Sequence, residues 1–431
     1  MTLALILVIV SLLFLLAIRV PIGIALFTVS FFGIAAVRGM RPALQIVAQE
    51  PFSFVSSWTL SAIPLFIFMG LLVQTTGMSS SLFHASRLWL SRLPGGLAVA
   101  ANFSCAGFAA ASGSSVSTAA AMGRLAIPEM LRYGYQPGLA TGVVASAGTL
   151  GSLIPPSIIF ILYGIFAQVS VGKLFLAGIL PGLLTAGVYT VMIVVRCKLN
   201  PALAPKIEED VTWKERFSSL GDVMPLVVVI GLVLGGIYAA IFTATEAGAF
   251  GALSVLVIAL LQKRLNFQNI SEALMAAVIN TAKIFFIAIG AVLLTKFLAI
   301  TGSGAKLADL ASSLQGNRFL LLSMMVLTYL VLGMFLDPIG VLLITIPVFL
   351  PVLNAIGFDL ILFGVLVVKF IEIGLLTPPV GLNVFVIKSV VGDSVSLVQI
   401  FRGVGWFLVC EAVVVALLFS FPSISLFLPN W

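Results

Sequence analysis

Apolar stretches of 16 to 25 residues recur from one end of the chain to the other, and strict alternation of apolar and polar positions is absent. A helix needs ~20 residues to cross ~30 Å of hydrocarbon. A membrane β-barrel would alternate instead, and backbone groups in lipid must be paired within the spanning segment or barrel. The pattern therefore predicts an all-α polytopic membrane protein. Helices are expected at 3–18, 22–37, 58–76, 95–131 (interrupted), 173–196, 223–241, 244–262, 278–300, 319–353 (interrupted) and 397–420. Two shorter segments, 137–168 and 360–390, are expected as helical hairpins. Segments 42–56 and 79–92 mix Ser, Arg and Trp with apolar residues, so they are expected to lie flat at the interface.

Composition agrees with this class. Hydrophobic residues make up 61% and charged residues 9% of the 431, with a mean hydropathy of +1.24, whereas a soluble domain carries about 25% charge. The net charge of +7 is not gathered into a patch of the size nucleic acid requires. The only strongly polar stretch is Arg196 to Asp222, with Lys198, Lys206, Glu208, Glu209, Asp210, Lys214, Glu215 and Arg216. It reads as a linker between two halves, and with Lys263-Arg264 it is expected on the cytoplasmic side. Cys105, Cys197 and Cys410 have no metal-ligand or disulfide spacing. In Thr2–Ile18 the first charge, Arg19, follows the apolar run, so this is expected to be a membrane helix and not a cleaved signal.

An internal repeat carries more information than any single segment. In a shift of 223 positions, the interval from Pro155 to Pro378, Pro128 falls on Pro351, Gly134 on Gly357, Gly151 on Gly374, and Pro155-Pro156 on Pro378-Pro379. Gly and Pro mark special backbone geometry, so their joint recurrence is meaningful. Five crossings separate the helix at 58 from its counterpart at 278, an odd number, so the repeats are inverted, as in secondary transporters. The implied division is 1–57 scaffold helices and interfacial segment, 58–172 first transport repeat with re-entrant hairpin 137–168, and 173–277 scaffold helices with cytoplasmic linker 196–222. Then follow 278–396, the second transport repeat with re-entrant hairpin 360–390, and 397–431, the C-terminal helix.

In the first expected hairpin, the arm 138–153 extends only ~24 Å at ~1.5 Å per residue, and Pro155-Pro156 ends it. Its tip is therefore expected near the midplane, as is that of its copy around Pro378-Pro379. Further interruptions fall at Ser112–Thr118 and Leu336–Gly340. Such breaks free carbonyls that coordinate a cation and present helix ends that attract a carboxylate; small residues there also serve helix packing. Asp337 suits either a cation or a helix cap. Lys369 and Glu372 are expected to pair with each other, Glu246 to be a structural hydrogen-bonding group, and His84 to lie at the surface. Few proton carriers remain, which favours Na⁺ over H⁺. Gly172-Lys173 lacks the P-loop spacing, and neither a catalytic triad nor H-E-x-x-H is present, so no enzyme is expected.

At these residues the chain resembles the large permease subunit, of DctM type, of tripartite ATP-independent periplasmic (TRAP) transporters. The similarity runs through Ile63-Pro64-Leu65-Phe66, the SGSSVST break, Ile127-Pro128 to GTLGSLIPPS, and Lys173-Leu174-Phe175-x-Ala177-Gly178. It continues in Gly235-Gly236-Ile237-Tyr238, Thr243-x-Thr245-Glu246-Ala247 and Gly374-x-x-Thr377-Pro378-Pro379-x-Gly381-x-Asn383. The resemblance implies an elevator-type, Na⁺-coupled importer of an organic acid in the bacterial inner membrane, with no other cofactor. It implies two partners, a small membrane subunit and a periplasmic substrate-binding protein. The small subunit is expected as a separate chain, because residue 1 opens on the large subunit's first helix. As Na⁺ ligands it implies Ser112, Gly113, Ser114, Ser115, Ser117, Thr118, Gly148, Thr149 and Gly151 in the first repeat. In the second it implies Asp337, Gly340, Gly374, Thr377 and Gly381. For the substrate it implies Ser114, Pro155, Pro156, Ser157, Pro378, Pro379 and Asn383. Many members carry Asp where this chain has Thr118. Two other readings are a stand-alone carboxylate or ion exchanger of similar design and an intramembrane enzyme; the latter lacks a nucleophile with its base.

Overall fold

A computed structural model of the chain describes residues 2–205, 211–306, 309 and 318–430. Lys206, Glu208, Glu209 and Asp210 of the expected linker lie outside the described residues. The helices are α1 (Thr2–Ala17), α2 (Ile22–Arg38), α3 (Met40–Val55), α4 (Ala62–Thr75), α5 (Met78–Leu90), α6 (Gly96–Ser112) and α7 (Ser115–Arg132). Next come α8 (Pro137–Ala147), α9 (Leu150–Leu153), α10 (Ile158–Ala167), α11 (Val171–Leu199), α12 (Trp213–Tyr238), α13 (Ala244–Leu261) and α14 (Phe267–Thr301). The last are α15 (Arg318–Gly333), α16 (Pro338–Ala355), α17 (Leu360–Gly374), α18 (Leu382–Val391), α19 (Leu397–Ser420) and the short α20 (Ser423–Leu426). No strand occurs among the described residues. Among them, eight helical stretches are long and apolar enough to cross a membrane.

Helix starts follow local capping chemistry. The Thr212 hydroxyl receives the Glu215 amide while the Glu215 carboxylate receives the Thr212 amide at 2.8 Å, a reciprocal pair that starts α12. This puts the start at Trp213 and not at 223, so the charged end of the expected linker is helix. Asn266 caps α14 without a reciprocal bond, its side-chain oxygen accepting from the Asn269 amide at 2.7 Å, and the helix opens eleven positions before the expected start at 278. Thr243 and Glu246 start α13 with the same reciprocal box as Thr212 and Glu215, which is the structural role expected of Glu246. His84 is exposed, as expected.

The 223-residue register holds at element boundaries. α7 and α16 both have 18 residues and begin after equivalent caps, Ser114 and Asp337. α8 and α17 open at the equivalent positions Pro137 and Leu360.

The two hairpins are real, but they are not the segments expected. α11, with 29 residues and so ~43 Å long at ~1.5 Å per residue, serves as a ruler. Segment 137–167 begins beside the far end of α11, where the Gln136 amide donates to the Leu203 carbonyl at 2.9 Å. It finishes just before Val171, at the helix's start. Segment 137–167 therefore runs the length of the bundle. Its Pro155-Pro156 interruption, extended at Ile154 (ψ 125°) and Ser157 (φ −123°), joins two pieces of one broken crossing helix. Segment 360–391 does the reverse. The Tyr163 hydroxyl donates to the Leu360 carbonyl at 2.6 Å near the start of α11. Beyond its other end, Gln399 of α19 lies against Gly138 at the linker end.

The chain instead turns back at the other two interruptions. Both ends of α6–α7 sit at the linker end: the Leu97 amide donates to the Tyr135 hydroxyl at 3.1 Å, and Gly95 packs against Cys197 near the end of α11. In α15–α16, Thr345 donates to Tyr329 at 2.9 Å across the turn. The re-entrant hairpins are thus 96–132 and 318–355. A left-handed Gly113 (φ +62°) followed at once by an N-cap reverses the chain in two residues. An extended Pro-Pro segment does not. The swap leaves the number of crossings between repeats odd, so the inversion stands.

Two groups of helices result. α14 packs along α2 and α4, with α13 on α4 and α1 on α2. The hairpins, the broken helices, α11 and α19 pack with one another, and α11 makes few contacts with α12. Within this second group α8 and α19 meet through Gly138, Gly142 and Gly403, where a Cβ at Gly403 would overlap the Gly138 carbonyl oxygen. Gly403→Ala is therefore expected to cost about 1–3 kcal/mol by overpacking. Gly405→Ala, with open space around it, should hold or raise the unfolding midpoint, since Ala is the better helix former.

Candidate functional site

Each hairpin tip is tied to the break of the crossing helix in its own repeat. In the first, the Ile158 amide donates to the Gly113 carbonyl at 3.2 Å, and a Cβ on Gly113 would stand 2.7 Å from the Pro156 carbonyl oxygen. Gly151 admits the tip from the other side: its Cβ would lie 2.5 Å from the Ser114 carbonyl and 2.6 Å from the Thr118 hydroxyl. Ser112 and Thr118 share a hydrogen bond of 2.7 Å. Ser114 caps α7, its hydroxyl 3.5 Å from the Ser117 amide.

The second tip repeats the plan. The Gly381 amide, at the position equivalent to Ile158, donates to the Met334 carbonyl at 3.4 Å. Gly333 and Gly374 touch backbone to backbone, as a Cβ on Gly374 would stand 2.7 Å from the Gly333 Cα. Asp337 caps α16 by accepting from the Gly340 amide at 3.1 Å. Asn383 joins the repeats by donating to the Ala145 carbonyl at 3.3 Å. Both Pro155-Pro156 and Pro378-Pro379 are cis.

Between the two groups of helices lies a cavity of about 360 Å³. One wall is built from the tips, with Ser112, Ser114, Ser117 and Asp337; the other comes from α4 and α14, with Gln74, Asn280 and Lys283. The structure thus brings four of the expected site residues to one cavity. Ser115, Thr118, Thr149 and Gly151 are buried behind them, and Gly113 and Gly148 lie in the same layer, packed against Pro156 and Ala119. Pro155, Pro156 and Ser157 are buried, and the Ser157 hydroxyl is turned to the Ser152 carbonyl at 2.5 Å. Pro378 and Pro379 are exposed, and the Thr377 hydroxyl is returned to its own helix at 2.7 Å from the Ile373 carbonyl. Gly340, Gly374, Gly381 and Asn383 do not reach the cavity wall.

Three polar cavity residues, Gln74, Asn280 and Lys283, were not anticipated. Lys283 has a legible signal: it interrupts the otherwise apolar run from Ala282 to Leu294, and a cation at membrane depth marks function by default. The expected Lys369–Glu372 pair is absent. Lys369 of α17 instead forms an ion pair with Glu411 of α19, the two side chains only 2% and 1% exposed. Lys369 also donates to the Thr185 hydroxyl at 3.2 Å, and the Tyr189 hydroxyl donates to Glu411. Three residues along one helix lies within reach, but α11 and α19 enclose Lys369 and offer better geometry.

Comparison with known proteins is decisive at this point. Residues 9–424 match the family described as the tripartite ATP-independent periplasmic transporter, DctM component. The chain belongs to this family. It is 35% identical to a C4-dicarboxylate TRAP transporter large permease protein of Pseudomonas aeruginosa, covering 90% of each chain. It is 31% identical to a sialic acid TRAP transporter large permease protein of Vibrio cholerae, again over 90% of each. An isethionate TRAP transporter permease of Oleidesulfovibrio alaskensis is 33% identical, over 88% of this chain and 59% of the longer relative. The solved structure of the YdaH transporter of Alcanivorax borkumensis shares the fold, with a TM-score of 0.64 at 16% identity over 90% of both chains. The protein is accordingly a multi-pass TRAP large permease subunit and a transporter, not an enzyme. The permeases of this family work with a small membrane subunit and a periplasmic binding protein.

Proposed function

We propose that this permease imports a small organic acid across the bacterial inner membrane, driven by Na⁺, by an elevator motion of the tip-bearing helices against α1–α4 and α12–α14. The observation that carries the reading is the position of the cavity on the boundary between the two groups. Cargo held there touches both walls, so sliding one wall past the other changes the face to which it opens. The moving group comprises α6–α11 and α15–α19, because these pack with one another; α11 therefore travels with the tips.

Lys283 supplies positive charge to an acid, while the tips present the amino-terminal ends of α7 and α16, whose free amides favour anions. C4-dicarboxylates, sialic acid and isethionate, named for the relatives, are all small organic acids of this chemistry. The Na⁺ ions are co-substrates. The oxygens around the tips suit a hard cation, and the Ser115 and Ser146 hydroxyls are buried there without a hydrogen bond of good geometry. Candidate ligands are the hydroxyls and carbonyls of Ser112–Thr118 with Gly148, Thr149 and Gly151, and, at the second tip, Asp337, Gly340, Gly374, Thr377 and Gly381.

The test is uptake of labelled organic acids into proteoliposomes holding this chain, a separate small membrane subunit and the periplasmic binding protein. Uptake is expected only with an inward Na⁺ gradient. Equal uptake without the gradient rejects the coupling, and uptake by this chain alone rejects the three-component arrangement.

A further inference from the structure

The loss of Lys369 to Glu411 leaves one carboxylate over. Glu372 of α17 is 1% exposed, and neither of its oxygens makes a hydrogen bond of good geometry. The Ser115 and Ser152 side chains are the polar groups that face it, and each is also 1% exposed. Ser115 opens α7 at the first hairpin tip, and its hydroxyl likewise makes no hydrogen bond of good geometry. Ser152 lies in α9, beside the Pro155-Pro156 break. The facing charges are Lys369, already neutralised, and Glu411. An isolated buried carboxylate is costly unless it is compensated, and here one negative charge is left over. A single monovalent cation balances it. A divalent ion would leave a net positive charge beside Lys369.

We propose that Glu372 is the anionic ligand of a monovalent cation of the Na⁺ class, held with the hydroxyls of Ser115 and Ser152. The inference rests on the sodium-coupled reading and names a charged ligand for it. The site joins three segments, the first hairpin tip, the first broken helix and the second broken helix. Ser114 and Ser117, on either side of Ser115, line the cavity. Occupancy by the cation therefore fixes the tip in the position from which those two residues meet cargo. An empty site leaves a repelling, unpaired charge beneath the tip.

The full chain, purified in detergent, is to be unfolded thermally across a NaCl series, with choline chloride holding ionic strength constant. The wild-type midpoint is expected to rise with Na⁺. In Glu372→Gln the half-saturating Na⁺ concentration should rise by about tenfold or more, the loss of one charge-assisted contact. Without Na⁺ the variant should be at least as stable as wild type, because the uncompensated charge is gone. A wild-type response together with an unchanged half-saturation in Glu372→Gln overturns this site and leaves the sodium reading standing. A wild-type chain indifferent to Na⁺ overturns both. Should Glu372→Gln fail to fold, Ser115→Ala and Ser152→Ala decide, and wild-type half-saturation in both rejects the site.

Discussion

Lys369→Met is expected to destabilise the folded chain by about 3–5 kcal/mol, the usual cost of stripping one partner from a buried ion pair. Thermal unfolding of the purified chain measures it as a lower midpoint. The argument rests on what the substitution leaves behind. Glu411 would keep only the Tyr189 hydroxyl, and Glu372 would lose the one positive charge near it. In Na⁺-free buffer two carboxylates would then be buried without a cation. Glu411→Leu should cost less, because Lys369 lies one turn from Glu372 and can turn toward it. The double variant Lys369→Met with Glu411→Leu should recover much of the loss, since an apolar pair replaces an ionic one at little net cost. A Lys369→Met chain as stable as wild type, or a ranking with Glu411→Leu worse, would show that the pair does not hold α17 to α19.

The same pair shows where sequence reasoning runs out. Spacing along one helix is visible in a sequence, so Glu372 was the natural partner for Lys369. Glu411 lies 42 positions further on, and only the antiparallel packing of α19 against α11 brings it to the same place. The hairpins failed in a related way. Gly and Pro mark breaks reliably, and all four breaks and the 223-residue register were legible. Whether the chain reverses at a break or continues through it depends on what the two flanking helices pack against. A compact Gly113-Ser114 turn reverses, while the extended Ile154–Ser157 passage continues, and both read as helix stops. Apolar run length gave the crossing helices well. It gave the starts of α12 and α14 poorly, because the polar turns at Thr212–Glu215 and Asn266–Asn269 belong to the helix through capping and not through hydropathy.

Transport should fall by at least about tenfold in Lys283→Ala, the loss expected when a charge-assisted contact to cargo is removed. Lys283→Arg should retain part of the rate, because charge persists while reach and geometry change. Unfolding midpoints of both variants should match wild type, since Lys283 is exposed to the cavity and not buried in the packing. Asp337 allows a sharper separation of roles, because it faces the same cavity and also caps α16. Asn caps a helix about as well as Asp, whereas Ala costs about 1 kcal/mol. Asp337→Asn should therefore hold the wild-type midpoint, and Asp337→Ala should lower it. If the carboxylate acts on ion or cargo, both variants lose uptake alike despite their different stabilities. If Asp337 is only a cap, uptake follows the midpoint, and Asn transports as wild type does. In the proposed elevator motion Lys283 would stand on the framework and Asp337 on the moving tips, so the stroke would separate the two charges. Labelled-acid uptake by Lys283→Ala at the wild-type rate would mean that cargo is gripped by the tips alone and that the framework wall merely encloses it.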